Sequence, residues 1–248
     1  MIFVPGKNQY DFEEGQVILI DKPLKWTSFD VVNKVRYLIR NQFGLKKIKV
    51  GHAGTLDPLA TGLLVICTGK FTKQIETLQA SNKEYVGTFM LGATTPSFDR
   101  ETEVDRTYST DGITKEKVEE VLRTFEGEQD QVPPIFSAKQ IGGQRAYVAA
   151  RKGHDVELSP SRINIERIWL MEYNMPLVTV GIKCSKGTYI RALARDFGER
   201  LGSGAYLHDL RRTASGDFSI NDAIEITDFE KIIKNLQPLE KKDVNKMS

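Results

Sequence analysis

The 248-residue chain carries 35 lysines and arginines against 33 aspartates and glutamates, and its formal net charge of +2 neither requires nor excludes a nucleic-acid partner. Hydrophobic residues make up 40% and charged residues 27%, so the chain can bury a core and is not a disordered polymer. No apolar run approaches the roughly 20 residues of a membrane-spanning helix. The first six residues lack the pattern of a signal peptide, so we expect a cytoplasmic protein without a membrane partner.

Cysteines and histidines give no sign of a metal site. Cys67 and Cys184 lie far apart in apolar runs, which predicts buried free thiols in a reducing compartment. His52, His154 and His208 do not have the spacing of metal ligands. We therefore expect a protein without a bound metal.

In the first half of the chain, apolar patterns predict alternating strands and helices. The predicted elements are a strand at Val17–Ile20, a helix from Thr27 or Ser28 to Gly44, a strand at Leu63–Cys67, a helix near Phe71–Leu78 and a strand at Tyr85–Leu91. Thr27 and Ser28 are good N-caps, Asp30 lies close to the positive end of the helix, and Gly44 stops the pattern.

In the second half, a helix is predicted from Thr114, with Ile113 packing against Val118 in a hydrophobic staple and Gly127 ending the helix. Strands at Ile163–Met171 and Val178–Cys184 and a helix from Thr188 to Gly202 follow.

Strands and helices do not alternate strictly, and there are no internal repeats, so the fold class is predicted to be α+β. We expect a single domain over residues 1–248. An irregular stretch at about 132–160, with little apolar periodicity and several basic residues, predicts an inserted loop that is basic on its exposed side. A short charged tail is expected at about 219–248, where residues 222–234 can form at most a helix.

The segment Gly51–Gly62 surrounds one acid, Asp57, with glycines and small residues. Glycine lets the backbone turn sharply, and Pro58 pushes Asp57 toward an extended conformation, so a carboxylate here can project into a cleft. Most Asp-Pro pairs are ordinary turns in which the aspartate bonds its own backbone. A phosphate-binding loop is rejected, because six residues instead of four separate the glycines and Phe71 stands where Ser or Thr would hold magnesium.

Four motifs, in order, carry a resemblance to a known family. They are Asp21-Lys22-Pro23, the run from Gly51 to Leu64 (GHAGTLDPLATGLL), Lys83-Glu84-Tyr85, and Gly187-Thr188-Tyr189-Ile190-Arg191 followed by Leu210-Arg211-Arg212. The run around Asp57 resembles the signature of the TruB family of pseudouridine synthases, and the likeness covers roughly residues 15–215.

The resemblance implies the pseudouridine synthase fold, a mixed and mostly antiparallel sheet with flanking helices and an inserted RNA-binding loop. It implies an enzyme that isomerises the T-loop uridine at tRNA position 55, takes the tRNA T-arm as its partner, and uses neither a metal nor an organic cofactor. Many bacterial relatives carry a small C-terminal RNA-binding domain, for which the tail after Phe218 is too short, so we expect a short form that lacks it. The guide-RNA relatives depend on that domain, so no guide RNA is expected.

The resemblance also assigns the catalytic groups. Asp57 is the implied nucleophile, and a carboxylate can form a covalent adduct and leave again. Arg191 lies in the first turn of a predicted helix, where a cation opposes the helix dipole at a cost of a few tenths to about 1 kcal/mol. A solvated surface arginine is the alternative interpretation. The resemblance implies that Arg191 pairs with Asp57 and lowers the pKa of its carboxyl group.

The remaining implied roles concern the substrate. Tyr85 and Tyr189 would hold the flipped uridine, Leu210 would form an apolar wall of its pocket, and His52 would enter the space that the base leaves. From the pattern alone, Tyr85 would be core packing and His52 a structural histidine. Candidate phosphate contacts, each of which alone could be an ordinary solvated charge, are Lys22, Lys46, Lys47, Lys49, Arg151, Lys152, Arg211 and Arg212.

Two alternatives stay open. One is a non-catalytic tRNA-binding or RNA-folding protein of the same fold, for which intact Asp57, Tyr85 and Arg191 would be surplus. The other is a synthase with a different RNA target.

Overall fold

The computed structural model describes residues 2–3, 6, 10–135, 140–141, 144–145 and 158–236, the two internal pairs by their backbone alone. Much of the predicted loop at 132–160, including Arg151, Lys152 and His154, lies outside the described residues, as does the tail beyond residue 236. The chain forms two compact units, Met1–Ala80 with Ala214–Ser248, and Ser81–Thr213. We call them the first and the second unit.

The helices and strands follow one another in a mixed order. In the first half of the chain they are β1 (Val17–Lys22), α1 (Ser28–Phe43), β2 (Val50–His52), β3 (Ala60–Thr68), a 3₁₀ helix (Gly69–Gln74), α2 (Ile75–Gln79), β4 (Lys83–Leu91), β5 (Ala93–Thr94), β6 (Arg106–Thr107), α3 (Lys115–Arg123) and β7 (Gly127–Gln131). In the second half they are β8 (Gln140–Ile141), β9 (Gln144–Arg145), β10 (Ser161–Asn174), β11 (Leu177–Cys184), α4 (Ile190–Leu201), β12 (Ala205–Ser215), β13 (Phe218–Ser219), a 3₁₀ helix (Ile220–Asp222), β14 (Ile224–Glu225) and α5 (Ile226–Asn235).

In the first unit, β1 pairs antiparallel with β3 and parallel with β14, and β2 pairs antiparallel with the far end of β3. Successive side chains of a strand point to opposite faces of the sheet. Ile18 and Ile20 therefore pack with residues of α1 and α5, whereas Val17 and Leu19 pack on the other face, near the 3₁₀ helix and α2. Both faces are covered, which explains why β1 and β3 are continuous apolar runs.

The second unit is built on strands in the order β12-β4-β11-β10-β7, with antiparallel pairing along β4-β11-β10-β7. The apolar sides of α3 and α4 pack against these strands, where Val118, Leu122, Leu193 and Phe197 form one cluster with Phe89 and Val180. The antiparallel pairs and the mixture of helices and strands confirm the α+β prediction.

Most predicted elements are present, with three corrections. Gly127 does not end α3, which stops at Arg123, but begins β7. Thr188 does not open α4, because its hydroxyl donates a hydrogen bond to the Ser185 carbonyl and Tyr189 is the N-cap. The predicted helix near Phe71–Leu78 is a 3₁₀ turn that continues into α2.

Within the described residues, no helix is both long and apolar enough to cross a membrane. The same part of the chain contains no cluster of three or more His, Cys, Asp or Glu side chains that could hold a metal ion. Cys67 and Cys184 are buried free thiols, as predicted.

Candidate active site

Asp57 lies in the loop that joins β2 to β3 in the first unit, and its side chain is half-buried. Gly54 in this loop and Gly62 near the start of β3 have φ angles of +109° and +101°, a region that residues other than glycine rarely adopt. The Asp57 carbonyl accepts a hydrogen bond from the Ala60 N–H at 3.0 Å, which turns the chain back into β3. The carboxylate is therefore carried on a turn that the glycines make possible.

The backbone on both sides of Asp57 is held from the start of α1. The Ser28 hydroxyl accepts a hydrogen bond from the Leu56 N–H at 2.8 Å and donates one to the Leu56 carbonyl at 3.0 Å. On the other side, the Lys25 N–H donates to the Pro58 carbonyl at 2.8 Å. Ser28 and Leu56 are both buried, so water competes little for these bonds. The contacts fix the position from which the Asp57 side chain projects.

Lys22 is fully buried, which contradicts its predicted role as a surface phosphate contact. Its ammonium group donates to the carbonyls of Pro23 at 3.0 Å and Trp26 at 2.6 Å. A buried cation needs such partners, because an unsatisfied charge in the interior is costly. Lys22 therefore stabilises the turn that leads into α1. His52 is half-buried on β2, opposite Ile66 of β3, and shares the first unit with Asp57.

Arg191 lies in the first turn of α4 in the second unit and is only 5% exposed, which excludes the solvated surface arginine. Its guanidinium donates to the Ser97 carbonyl at 3.3 Å and lies 3.6 Å from the Asp99 carboxylate. Asp99 is also buried, and it accepts hydrogen bonds from the Ser97 hydroxyl at 2.6 Å and the Glu101 N–H at 2.9 Å. The turn at residues 97–101 thus orients the arginine, and sequence patterns gave no signal for this role of Asp99.

Tyr189 is the N-cap residue of α4, and one side-chain amide binds its backbone. The buried Gln131 of β7 accepts a hydrogen bond from the Tyr189 N–H at 2.8 Å and donates one to its carbonyl at 3.1 Å. Tyr85 on β4 and Leu210 on β12 are partly buried and pack against the core cluster of the second unit. The second unit therefore holds Tyr85, Tyr189, Arg191 and Leu210, and the first unit holds Asp57 and His52.

Two further basic residues of the second unit are buried. Arg212 is 1% exposed, so the prediction that it contacts phosphates at the surface is wrong, whereas Arg211 is half-buried. Lys83 is 5% exposed and donates to the Ser81 carbonyl. Burial, together with the positive charges of Arg212 and Lys186, lowers the pKa of Lys83 to about 8. Lys83 lies two residues before Tyr85 on β4, so their side chains point to the same face of the sheet.

Comparisons with known proteins identify the family. The family model for the TruB family pseudouridylate synthase (N terminal domain) matches residues 40–190, and the model for the tRNA pseudouridylate synthase B C-terminal domain matches residues 191–244. The chain is 58% identical over 219 residues to a tRNA pseudouridine synthase B of Phocaeicola vulgatus, covering 88% of this chain and 93% of the relative. It is 53% identical over 225 residues to one of Flavobacterium johnsoniae, covering 90% and 98% of the two chains.

Solved structures agree with this assignment. A chain of a Cbf5-Nop10-Gar1 complex matches with a TM-score of 0.68 and 28% identity, over 92% of this chain and 58% of that one. A chain of an H/ACA RNP bound to a substrate RNA containing 2'-deoxyuridine matches with a TM-score of 0.64 and 26% identity, over 92% and 60%. This chain thus spans about 60% of the length of those two. The family models and the close relatives show that the chain belongs to the TruB family of pseudouridylate synthases.

Proposed function

We propose that the protein converts the T-loop uridine of tRNA, at tRNA position 55, to pseudouridine, acting in the cytoplasm. The observation that carries the proposal is the 58% identity to a tRNA pseudouridine synthase B, over nearly the whole length of that relative. The reaction is an isomerisation, since the N–C glycosidic bond is replaced by a C–C bond. The carbon that joins the ribose loses a proton and the released nitrogen gains one, so neither an oxidant nor a co-substrate is needed.

Asp57 is proposed as the nucleophile. A carboxylate can form a transient covalent bond and leave again, which keeps the base and the ribose together while the base rotates. The fixed backbone around Leu56 and Pro58 supports this role, because a catalytic group gains from being held in position before substrate binds. Arg191 is proposed as the positive partner of the Asp57 carboxylate.

The other site residues are proposed to handle the flipped nucleotide. Tyr85 and Tyr189 offer aromatic faces on which an unstacked base can rest, and Leu210 offers an apolar wall. His52 is proposed to fill the space that the base leaves in the RNA loop. The family carries out this chemistry without a metal, an organic cofactor or, in its tRNA-specific members, a guide RNA, and the same is proposed here.

Purified protein and unmodified tRNA alone, followed by mapping of pseudouridine, test the proposal. The wild type is expected to form pseudouridine at position 55, and Asp57→Asn is expected to lower kcat by more than about 10³-fold, as loss of a nucleophile does. Asp217→Asn makes the same chemical change at an exposed turn and serves as the control. A wild type that binds tRNA and forms no pseudouridine would support the alternative of a tRNA-binding protein, and product at another site would support a different RNA target.

A further inference from the structure

A basic pocket with a volume of about 680 Å³ lies in the first unit, at the end of the β2–β3 hairpin away from Asp57. Its walls come from the second half of α1, the segment Lys46–Lys49 before β2, and the 3₁₀ helix after β3. This volume is large enough for several phosphate-sized groups. None of the residues assigned to the reaction lines it, so the pocket needs a separate explanation.

The residues that line the pocket are mostly positively charged, although the whole chain has a net charge of only +2. Six of the cations that line it are Arg36, Arg40, Lys46, Lys47, Lys49 and Lys73. The seventh, Lys70, is neutralised by Glu14 at 2.6 Å, and Glu13 is the one carboxylate among the described residues that line the pocket. Across the part of the chain that the structure describes, Lys46, Lys47 and Lys49 form no ion pair, and all three are exposed.

The floor of the pocket is held together by the backbone. The Gly69 N–H donates to the Lys49 carbonyl at 2.9 Å, and the Lys70 N–H donates to the Glu13 carbonyl at 3.1 Å. A Cβ atom at Gly69 would lie 2.1 Å from the Glu13 carbonyl oxygen, so only glycine allows this close approach. Arg36 is oriented by hydrogen bonds to Asn33 at 2.7 Å and to the Val50 carbonyl at 3.0 Å. These contacts fix the backbone of the pocket floor and the position of the Arg36 guanidinium.

The pocket lies far from the proposed nucleophile within the same unit. β3 runs from Ala60, just after Asp57, to Thr68, just before the pocket, which is eight steps along an extended strand. At ~3.3 Å per residue the separation is about 26 Å. This distance corresponds to roughly nine steps of an A-form RNA helix, at ~2.8 Å each. A nucleic acid with its target nucleotide at Asp57 is long enough to reach the pocket.

We propose that this basic pocket binds phosphates of the tRNA backbone, roughly nine base pairs away from the nucleotide that is modified. This proposal rests on the proposed function for the identity of the RNA. Phosphates fit the pocket because clustered, unpaired Lys and Arg side chains release counterions from a polyanion when they bind it. A membrane surface fits less well, since Ile48 is the one large apolar residue among the described residues of the lining, and peripheral membrane sites combine cations with several apolar or aromatic side chains.

The test is a triple variant, Lys46→Gln/Lys47→Gln/Lys49→Gln, compared with Lys115→Gln/Lys117→Gln/Arg123→Gln. The control removes the same charge from the exposed side of α3, where each residue already pairs with a glutamate. Affinity for unmodified tRNA and KM are measured between low and physiological salt, with circular dichroism to confirm folding.

The pocket variant is expected to bind tRNA about 10- to 100-fold more weakly at low salt. The slope of log affinity against log salt is expected to fall by about 2 to 3, because each phosphate contact contributes ~0.7 to 0.9. The loss should appear in KM rather than in kcat, and the control should match the wild type.

Wild-type affinity and an unchanged salt slope in a folded pocket variant would overturn the proposal. So would unchanged tRNA affinity combined with lost binding to phosphatidylserine vesicles, which would make a membrane the partner. A wild type that binds tRNA in a pocket-dependent way but forms no pseudouridine would refute the proposed function and leave the pocket proposal standing. Normal formation of pseudouridine by both the wild type and the pocket variant, with equal tRNA affinity, would support the proposed function and refute the pocket proposal.

Discussion

At the scale of single residues, Gln131 holds the backbone of Tyr189, one of the residues proposed to bind the substrate base. Its buried side-chain amide accepts a hydrogen bond from the Tyr189 N–H and donates one to the Tyr189 carbonyl. The first backbone N–H groups of a helix have no acceptor within the helix. Here the Gln131 side chain on β7 accepts the hydrogen bond of the Tyr189 N–H. We therefore infer that Gln131 positions Tyr189 for the substrate base.

Gln131→Leu is expected to raise KM for tRNA several-fold and to lower the free energy of unfolding by about 1–3 kcal/mol, since the Tyr189 N–H loses its partner while the Tyr189 carbonyl keeps the Leu193 N–H. Gln129→Leu is the control, because Gln129 lies on the same strand and donates to the Phe125 carbonyl, away from Tyr189. Enzyme assays and urea unfolding measure the two quantities. If Gln131→Leu loses stability but keeps its KM, Gln131 is structural only.

Burial of charged residues was the feature that sequence predicted least well. Lys22 and Arg212 look like surface cations in the sequence, yet both are buried. The interior position of Lys22 depends on the backbone carbonyls of Pro23 and Trp26. Partners of this kind leave no pattern in the chain. The carboxylate of Asp99 beside Arg191 escaped notice for the same reason, because 92 positions separate the two residues.

At the scale of elements, the start of α1 links helix capping to the Asp57 loop. The Thr27 side chain accepts a hydrogen bond from the Asp30 N–H at 3.0 Å, and Asp30 in turn accepts one from the Thr27 N–H at 2.8 Å, which forms a capping box. The next residue, Ser28, points to the loop and bonds Leu56. Adjacent residues thus serve two separate purposes, one for the helix and one for the loop.

This separation gives a prediction. Thr27→Ala is expected to lower the free energy of unfolding by about 1 kcal/mol, the usual cost of losing an N-cap, and to leave kcat near the wild-type value. Ser28→Ala is expected to lower kcat about tenfold or more, because the backbone beside Asp57 loses two hydrogen bonds and small displacements of a catalytic group are costly. Thermal unfolding and single-turnover assays compare the pair. Equal effects of the two variants on kcat would show that Ser28 acts only through the helix.

Element boundaries were predictable where the signals are local. The N-caps at Thr27 and Thr114 and the left-handed C-cap at Gly44 lie where the sequence places them. Strands without alternating apolar residues were missed. β7 has the sequence GEQDQ, and it is a strand because it pairs with β10 at the end of the sheet in the second unit. β12 has a mixed pattern, and its identity as a strand likewise depends on tertiary pairing rather than on local propensity.

At the scale of the whole molecule, the resemblance to the TruB family predicted the fold class and the family correctly, and the comparisons confirm both. The residue roles at Asp57, His52, Tyr85, Tyr189, Arg191 and Leu210 remain predictions, as does the single-domain organisation. The sequence predicted a short charged tail from about residue 219. The C-terminal family model matches residues 191–244, so the matched region begins in α4, well before that tail. The net charge of +2 did not predict the basic pocket, because charges elsewhere in the chain balance it.

The position of the pocket predicts how the KM of the enzyme depends on the length of the RNA. A T-arm hairpin presents the target loop to Asp57, so a hairpin alone is expected to be a substrate. The pocket lies about 26 Å from Asp57, which a short stem does not span. We therefore expect the wild type and the Lys46→Gln/Lys47→Gln/Lys49→Gln variant to modify a short hairpin with similar KM, and to diverge as the stem is lengthened past roughly nine base pairs.

A series of T-arm hairpins that differ only in stem length, assayed for pseudouridine at low salt beside full-length tRNA, measures this dependence. The affinity gained on lengthening the stem is counterion-driven, so it should vanish for the wild type as the salt concentration rises. A variant that is equally impaired on every hairpin would mean that the lysines act close to the target nucleotide. A short hairpin that is not modified at all, while full-length tRNA is, would mean that distant contacts are essential to the reaction rather than an addition to the affinity.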